Sequence, residues 1–371
     1  MAEALKDQYG PEVPQKLAND IQQVFPQFDA EGFLQQVLPE FEQLELMPRG
    51  KHIAQVLRGF LPEHYPTAID ILVSSMGASL TDSRSFGMSS FFYLPHSFFI
   101  AEFGLDHFDE SMAAQYQLTQ RFTAEFCIRP FLLKYPQQTL ARLAQWLDDP
   151  SEHVRRLISE GTRPRLPWGI ALKPFKQDPV PVLELLEQLK DDESLYVRRS
   201  VANNLNDIGK DNLEVLCQTC ESWLQGASKE RRWLVNHALR SAIKRAEPQA
   251  LAVLGYGQDI EVSVGDINLT PEKATLGDNL TIAFSVTNNA DQLQPLLVDF
   301  VIHYVKANSS TSAKVFKLKT VELKPGGRAE FSKKVSLKNM STRKHYPGVH
   351  KVEALLNGVS FELGEFELAL P

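Results

Sequence analysis

The sequence predicts a multidomain chain, an all-α HEAT-like repeat solenoid followed by an all-β immunoglobulin-like sandwich. Three observations carry that expectation. Up to about residue 258, apolar residues recur at helical spacing, as in LARLAQWL (140–147), VLELLEQL (182–189) and LEVLCQTCESWL (213–224). One motif returns after 43 residues: WLDDPSEHVRRLISEG (146–161) aligns with LKDDESLYVRRSVANN (189–204). Beyond residue 258, strict alternation takes over in short segments rich in β-branched and aromatic residues.

In chain order, residues 1–135 read as helical but follow the repeat less closely. Each clear repeat holds two acids, a turn, and then Val-Arg-Arg leading a second helix. The DDP and DDES stretches supply the turns and N-caps for those helices. A weaker third copy is SKERRWLVNHALRSAIKR (228–245). Periods of this length with two helices each indicate a stacked, curved solenoid. GYGQD (255–259) reads as a hinge, so the expected domains are 1–257 and 258–371. After it come IEVSVGDINL, NLTIAFSVTNN, LLVDFVIHYV, KVFKLKTVEL, AEFSKKVSL and HKVEALLNG, separated by LGDN, KPGG and HYPG. Six or seven such strands make an Ig-like sandwich, here without the Cys–Trp–Cys core of antibody domains.

Composition excludes several classes. The net charge of -7 over 371 residues argues against a polyanionic partner, but it averages two unlike regions. Residues 1–150 carry 10 Lys/Arg against 19 Asp/Glu, a net of -9, whereas residues 151–245 carry 16 against 13, a net of +3. Three cysteines, Cys127, Cys217 and Cys220, fit a reducing cytoplasm better than a disulfide framework. The CQTC pair lacks the further ligands a zinc site needs, and His96 and His107 lack ligand spacing. No Gly-rich phosphate loop, nucleophile elbow or HExxH occurs, so neither metal nor cofactor is expected. The most apolar stretch, FFYLPHSFFIAEF, is broken by Pro95, His96 and Glu102 and is too short to span a bilayer.

The arginines and the acids among them carry the chemistry. Arg155 and Arg156, Arg198 and Arg199, and Arg231 and Arg232 fall at equivalent places on successive second helices. Such a ladder can grip phosphates, or it can pair with Asp148, Asp149, Asp191 and Asp192 as structural caps. A split is expected, with one arginine of each pair capping and the other facing the groove. Glu160 lies one helical turn after Arg156 and just before Arg163 and Arg165. Gly161, Pro164 and Pro167 then break the helix and present Trp168. Glu125 reads as part of an aromatic-rich helix with Arg129 at i+4, and Asp207 closes the equivalent helix of the next repeat. Carboxylates in a cationic groove suit N-glycosidic cleavage, because the sugar becomes oxocarbenium-like. An already cationic leaving base needs no acid to protonate it, and an aromatic face attracts that cation. Trp233, His237 and Arg240 share a helix face and either border the groove or pack.

The segments TQRFTAEFCIRPFL, HVRRLISEGTRPRLPWG and YVRRSVANNLNDI resemble the bacterial AlkC family of DNA alkylation-repair glycosylases, related to AlkD. The resemblance covers the helical region and the C-terminal Ig-like module that one branch of the family carries. It implies a monofunctional hydrolase that removes N3-alkylated bases, chiefly 3-methyladenine and also 3-methylcytosine, and leaves an abasic site. It also implies that the enzyme acts on bent duplex DNA without a deep pocket for an extruded base. Carried over by motif, Glu125 and Glu160 are active-site acids and Trp168 the active-site aromatic, with Asp207 a weaker member of the cluster. Phosphate contacts are expected from Arg155, Arg156, Arg163, Arg165, Arg198, Arg199 and Arg232, and from Lys333, Lys334, Arg343 and Lys344 of a lysine-rich clamp. The expected partner is double-stranded DNA bearing alkylated bases, with no membrane, no obligate protein partner and a monomeric chain. The alternative is a non-catalytic scaffold binding DNA or protein. An RNA-binding reading has no RNA motif behind it.

Overall fold

A computed structural model describes residues 5–80, 88–340 and 343–370. The chain divides into two compact units, Met1–Leu216 with Trp223–Ala238, and Cys217–Ser222 with Leu239–Pro371. Helices come first: α1 Glu12–Val24, α2 Ala30–Phe41, α3 Leu46–Phe60, α4 Tyr65–Ser74, α5 Leu94–Phe103, α6 Phe108–Thr119, α7 Ile128–Lys134 and α8 Pro136–Gln145. They continue as α9 Glu152–Gly161, α10 Lys173–Gln177, α11 Val180–Leu189, α12 Leu195–Ile208, α13 Leu213–Leu224, α14 Lys229–Lys244 and α15 Pro248–Val253. None of the described helices is long and apolar enough to cross a membrane.

The 43-residue repeat has a direct structural cause. In both copies an aspartate carboxylate accepts from the backbone N–H two residues on, Asp149 from Ser151 and Asp192 from Ser194, each at 2.8 Å. These side-chain turns end one helix and launch the next. The first arginine of each Val-Arg-Arg then folds back onto the same turn. Arg155 Nη1 donates to Asp149 O at 2.7 Å and Pro150 O at 3.3 Å, and Arg198 Nη1 donates to Asp192 O and Glu193 O at 2.5 and 2.9 Å. Arg155 also forms a two-pronged pair with Asp192 of the next repeat, at 2.7 and 3.1 Å. Arg155 and Arg198 Nη1 are therefore held by the fold, while Arg198 Nε is buried with no partner among the described residues.

Helices α9 and α12 pack side by side through Val154, Leu157 and Ile158 on one and Val197, Val201 and Leu205 on the other, all fully buried. Each such side chain contributes about 1.5–3 kcal/mol on burial. A polar seam runs through this contact. Ser159 Oγ donates to Ser200 Oγ at 2.7 Å, and Asn204 Nδ2 donates to Ser159 O at 2.7 Å and Thr162 Oγ1 at 2.9 Å. Residues roughly one repeat apart thus face each other, which fixes the register of the two helices.

The second unit holds the strands β1 Val262–Thr270, β2 Lys273–Thr275, β3 Asn279–Asn288, β4 Gln294–Val305, β5 Thr311–Leu323, β6 Arg328–Ser336, β7 Gly348–Leu356 and β8 Val359–Ala369. They form a three-stranded sheet, β1-β3-β6, and a five-stranded sheet, β2-β8-β7-β4-β5, with the core between them. Eight described strands exceed the six or seven anticipated, since the six segments named from the sequence include neither the short β2 nor the final β8. Asn357 and Gly358, both at positive φ, make the tight β7–β8 hairpin turn. That turn lies on the end of the helical stretch, since a Cβ on Gly358 would come within 2.9 Å of Ala246 Cβ and Leu251 Cδ1. Residues 239–253 are thereby part of the second compact unit, and a boundary at 257/258 falls inside it.

Candidate active site

Helices α9 and α12, with the turn before α7, bring Glu125, Glu160 and Asp207 onto one network. Glu125 Oε2 accepts from Thr123 Oγ1 at 2.9 Å and Arg156 Nη1 at 2.7 Å. Arg156 Nη2 lies 3.6 Å from Glu160 Oε1, which accepts from Arg163 Nη1 at 2.6 Å. Arg163 Nε donates to Asp207 Oδ2 at 2.8 Å, and Lys210 Nζ donates to Asp207 Oδ1 at 2.7 Å. Acid and base therefore alternate from Glu125 to Lys210. Burial drives the Glu160 carboxyl upward, but the charges of Arg156 and Arg163 and the Ser200 hydrogen bond outweigh it and hold the group below its ordinary range. The same acids hold Arg156 and Arg163 fully charged despite the desolvation that opposes it.

Two expectations are corrected here. Glu125 is not helical; it stands in a turn, and α7 begins only at Ile128. Pro130 has no N–H to return to Phe126, so a helix running through Glu125 would lose that bond. Consequently Glu125 and Arg129 form no i,i+4 ion pair, and Glu125 reaches 31 residues along the chain to Arg156 instead. Both Glu125 and Glu160 are ion-paired, so pairing alone does not separate an enzyme from a scaffold. What distinguishes the acids is how many oxygens remain open. Glu160 has both oxygens engaged, by Arg163 and by Ser200 at 2.7 Å, and Asp207 has both engaged by Arg163 and Lys210. Glu125 Oε1 accepts no hydrogen bond from a described residue.

Trp168 stands on the loop that leaves α9. Leu166 O accepts from Gly169 N at 3.2 Å, closing a turn with Pro167 and Trp168 at its centre. Proline suits the first central position, whereas Trp168 takes φ 63° at the second, a conformation costing a side-chain-bearing residue about 1 kcal/mol or more. The reward is display: Trp168 is 64% exposed while Leu166 beside it is buried. The loop is anchored by Arg129, whose Nη1 donates to Gly161 O at 2.9 Å and whose Nε donates to Ile170 O at 2.5 Å.

The remaining arginines separate by role. Arg155 is buried, and Arg163 is as enclosed as the acids it serves. Arg165 pairs with Asp211 at 2.6 Å near the surface, and Arg199 and Arg232 are exposed. Thr123, Tyr196, Ser200 and Lys210 were not singled out from the sequence, yet each touches the network; Tyr196 lies under Arg156, 5.0 Å from Cζ to the ring centre. Position signals two of them, because Tyr196 and Ser200 share with Asp207 the face of α12 that carries Asn203. Trp233 stacks on His237 at 5.2 Å, and His237 Nε2 lies 3.2 Å from Asn203 Oδ1, which continues that face onto α14. In the second unit, Lys333 and Lys334 lie exposed on the edge strand β6, while Arg343 and Lys344 line a cavity of about 640 Å³. Its wall also includes Lys244, Arg245, Lys306, Lys314, Tyr304 and Tyr346, and no acid. Among the described residues no three His, Cys, Asp or Glu groups gather as a metal site.

This geometry has a solved counterpart. The chain superposes with a TM-score of 0.89 on the Pseudomonas fluorescens alkylpurine DNA glycosylase AlkC bound to DNA containing an abasic site analogue. The two are 39% identical, and the match covers 99% of this chain and 100% of that one. The chain belongs to the AlkC family. A Bacillus subtilis (strain 168) relative, the uncharacterized protein YhaZ, is 35% identical over 355 residues, 95% of this chain and 96% of YhaZ. Residues 263–370 match the family described as the C-terminal Ig-like domain of the uncharacterised protein YhaZ. In this AlkC-family chain, then, both the helical repeats and the Ig-like sandwich have counterparts, and the acid network lies in the repeats.

Proposed function

We propose that this protein is a monofunctional DNA glycosylase that hydrolyses the N-glycosidic bond of cationic N3-alkylated bases, 3-methyladenine and 3-methylcytosine, in duplex DNA. The observation that carries the reading is the alternating acid–base chain beside the Trp168 loop, in which, among the described residues, Glu125 alone keeps an oxygen open. The likeness to AlkC supports the substrate class. As the bond between the sugar and the base breaks, the base leaves neutral with the bonding pair and the sugar takes up positive charge. Carboxylates fixed beforehand by Arg156, Arg163 and Lys210 need no reorganisation to face that charge. Glu125 Oε1 is the acceptor for a proton of the attacking water, and its partner oxygen is held by Arg156 and Thr123. Water then bonds to the anomeric carbon and an abasic site remains. Trp168 offers its exposed face to the cationic base.

Phosphate contacts are assigned to the exposed cations Arg165, Arg199, Lys210 and Arg232, and to the acid-free basic cavity of the second unit with Lys333 and Lys334. Arg155 is left to the fold. The test is incubation with methylated duplex DNA, scoring free 3-methyladenine and abasic sites. Release of free base supports the enzyme. A folded protein that binds the duplex and releases none is the scaffold of the alternative reading.

A further inference from the structure

We infer that Arg129 is a positioning residue that sets the Trp168 loop against the acid network. The inference rests on the glycosylase reading above for its catalytic consequence, but the geometry stands without it. Arg129 is fully buried and pairs with no carboxylate of the described residues, although Glu125 lies four residues away. Its two bonded nitrogens go to Gly161 O and Ile170 O, the carbonyls that bracket the segment carrying Trp168. Nη2 is buried with no partner among the described residues. A guanidinium in that state is expensive, and an apolar side chain of equal volume would serve packing better. Burial accordingly lowers its pKa to about 10, with Arg163 adding to the effect and Glu125, Asp207 and Glu160 opposing it. Those four groups place Arg129 within electrostatic reach of the whole network.

The loop is fitted to this side chain from the other direction too. A Cβ on Gly161 would come within 2.8 Å of Ile128 Cγ2, and one on Gly169 within 3.3 Å of Arg129 Cδ and Nε and 2.9 Å of Leu166 Cδ2. A side chain at Gly161 must displace Ile128, and one at Gly169 crowds Leu166 and the Arg129 side chain, so the segment 161–170 packs against α7 and Arg129 closely at both glycines. The planar fork spans two carbonyls that a lysine ammonium could not hold together. Because Trp168 sits at a strained φ, its orientation depends on the surroundings that impose it. Arg129 is the buried group that bonds both ends of that imposition.

Arg129→Gln, Arg129→Lys and Gly169→Ala are the test, each in the full chain, with two readouts. The first is single-turnover release of 3-methyladenine alongside duplex affinity. The second is acrylamide quenching of the Trp168 emission in free protein, taken as the difference from the matching Trp168→Phe background. The expected result for Arg129→Gln is a release rate down about 100-fold, affinity within about 3-fold of wild type, and Trp168 quenched more readily. Arg129→Lys should recover part of both readouts, and Gly169→Ala should reproduce the defect with the arginine intact. Gly169→Ala keeps the test decisive if Arg129→Gln fails to fold. Wild-type quenching and wild-type rates in Arg129→Gln or Gly169→Ala would overturn the inference. If wild-type protein releases no base, the glycosylase reading falls, while quenching still decides the positioning role.

Discussion

Glu160 lies between two guanidiniums, and its neutral form would leave them facing each other across an amide or acid. Glu160→Gln should therefore lower both stability and base release, whereas Glu125→Gln, at a site with one open oxygen, should lower release far more than stability. Urea midpoints beside single-turnover rates separate the two. The depressed Glu160 carboxyl contributes stability that is present above its unfolded pKa and is lost as pH falls through the folded one. His96 acts in the same direction by another route. Fully buried, with neither ring nitrogen bonded to a described group, it is pushed by burial from 6.5 to about 3. Between those values the unfolded chain binds a proton that the folded chain refuses, so stability falls as pH drops from 6.5 toward 3. His96→Leu should lose about 2 kcal/mol less than wild type between pH 7 and pH 5 in chemical denaturation. Equal losses would exclude His96 as the cause. Glu160, Trp168 and Asp207 could be picked out because each breaks a pattern: an acid among arginines, an aromatic after two prolines, an acid ending a repeated helix. Glu125 was found but its partner was not, because local spacing favoured Arg129 and the true partner lies 31 residues away.

At the scale of elements, the repeat period is the spacing at which side chains meet. Ser159 faces Ser200, Thr162 faces Asn204 and Arg163 faces Asp207, so α9 and α12 act as one polar-seamed slab beneath the acids. The period was legible in the sequence, and so was one capping arginine in each Val-Arg-Arg, Arg155 and Arg198; of the two expected to face the groove, Arg156 is instead bound to Glu125 and Arg199 is exposed. Which arginine caps was not legible, because that depends on helix rotation relative to the preceding turn. Arg155→Ala would strand Asp192, whose side chain is 5% exposed, and should cost about 3 kcal/mol while leaving duplex affinity within about 2-fold. Arg198→Ala breaks only bonds to carbonyls and should cost about 1 kcal/mol. Thermal or urea unfolding checks both. A stable Arg155→Ala protein that no longer binds DNA would return that arginine to the interface. The Trp168 loop was visible as a break in the helical pattern, but its anchoring was not, since backbone carbonyls carry no sequence signature.

For the whole molecule, the net charge of -7 conceals the cavity of the second unit, where Lys244, Lys306, Lys314 and Lys344 gather without an acid. Those residues are separated by up to about 100 positions in the chain, and only the fold of the second unit, which sets the end of α14 beside the sandwich, brings them together. Cutting the chain near residue 258 would divide a compact unit, so charge substitution is the cleaner probe. Lys306→Ala, Lys314→Ala and Lys344→Ala combined should shallow the slope of log affinity against log salt by about 0.9 for each phosphate no longer neutralised. An unchanged slope would remove the second unit from the interface. The central claim is chemical and belongs to Glu125, so its most direct test is single-turnover release of 3-methyladenine by Glu125→Gln at saturating protein. The account predicts that duplex affinity and unfolding midpoint stay close to wild type while the rate falls by about 100-fold or more. Release at the wild-type rate by a folded, DNA-bound Glu125→Gln protein would contradict it.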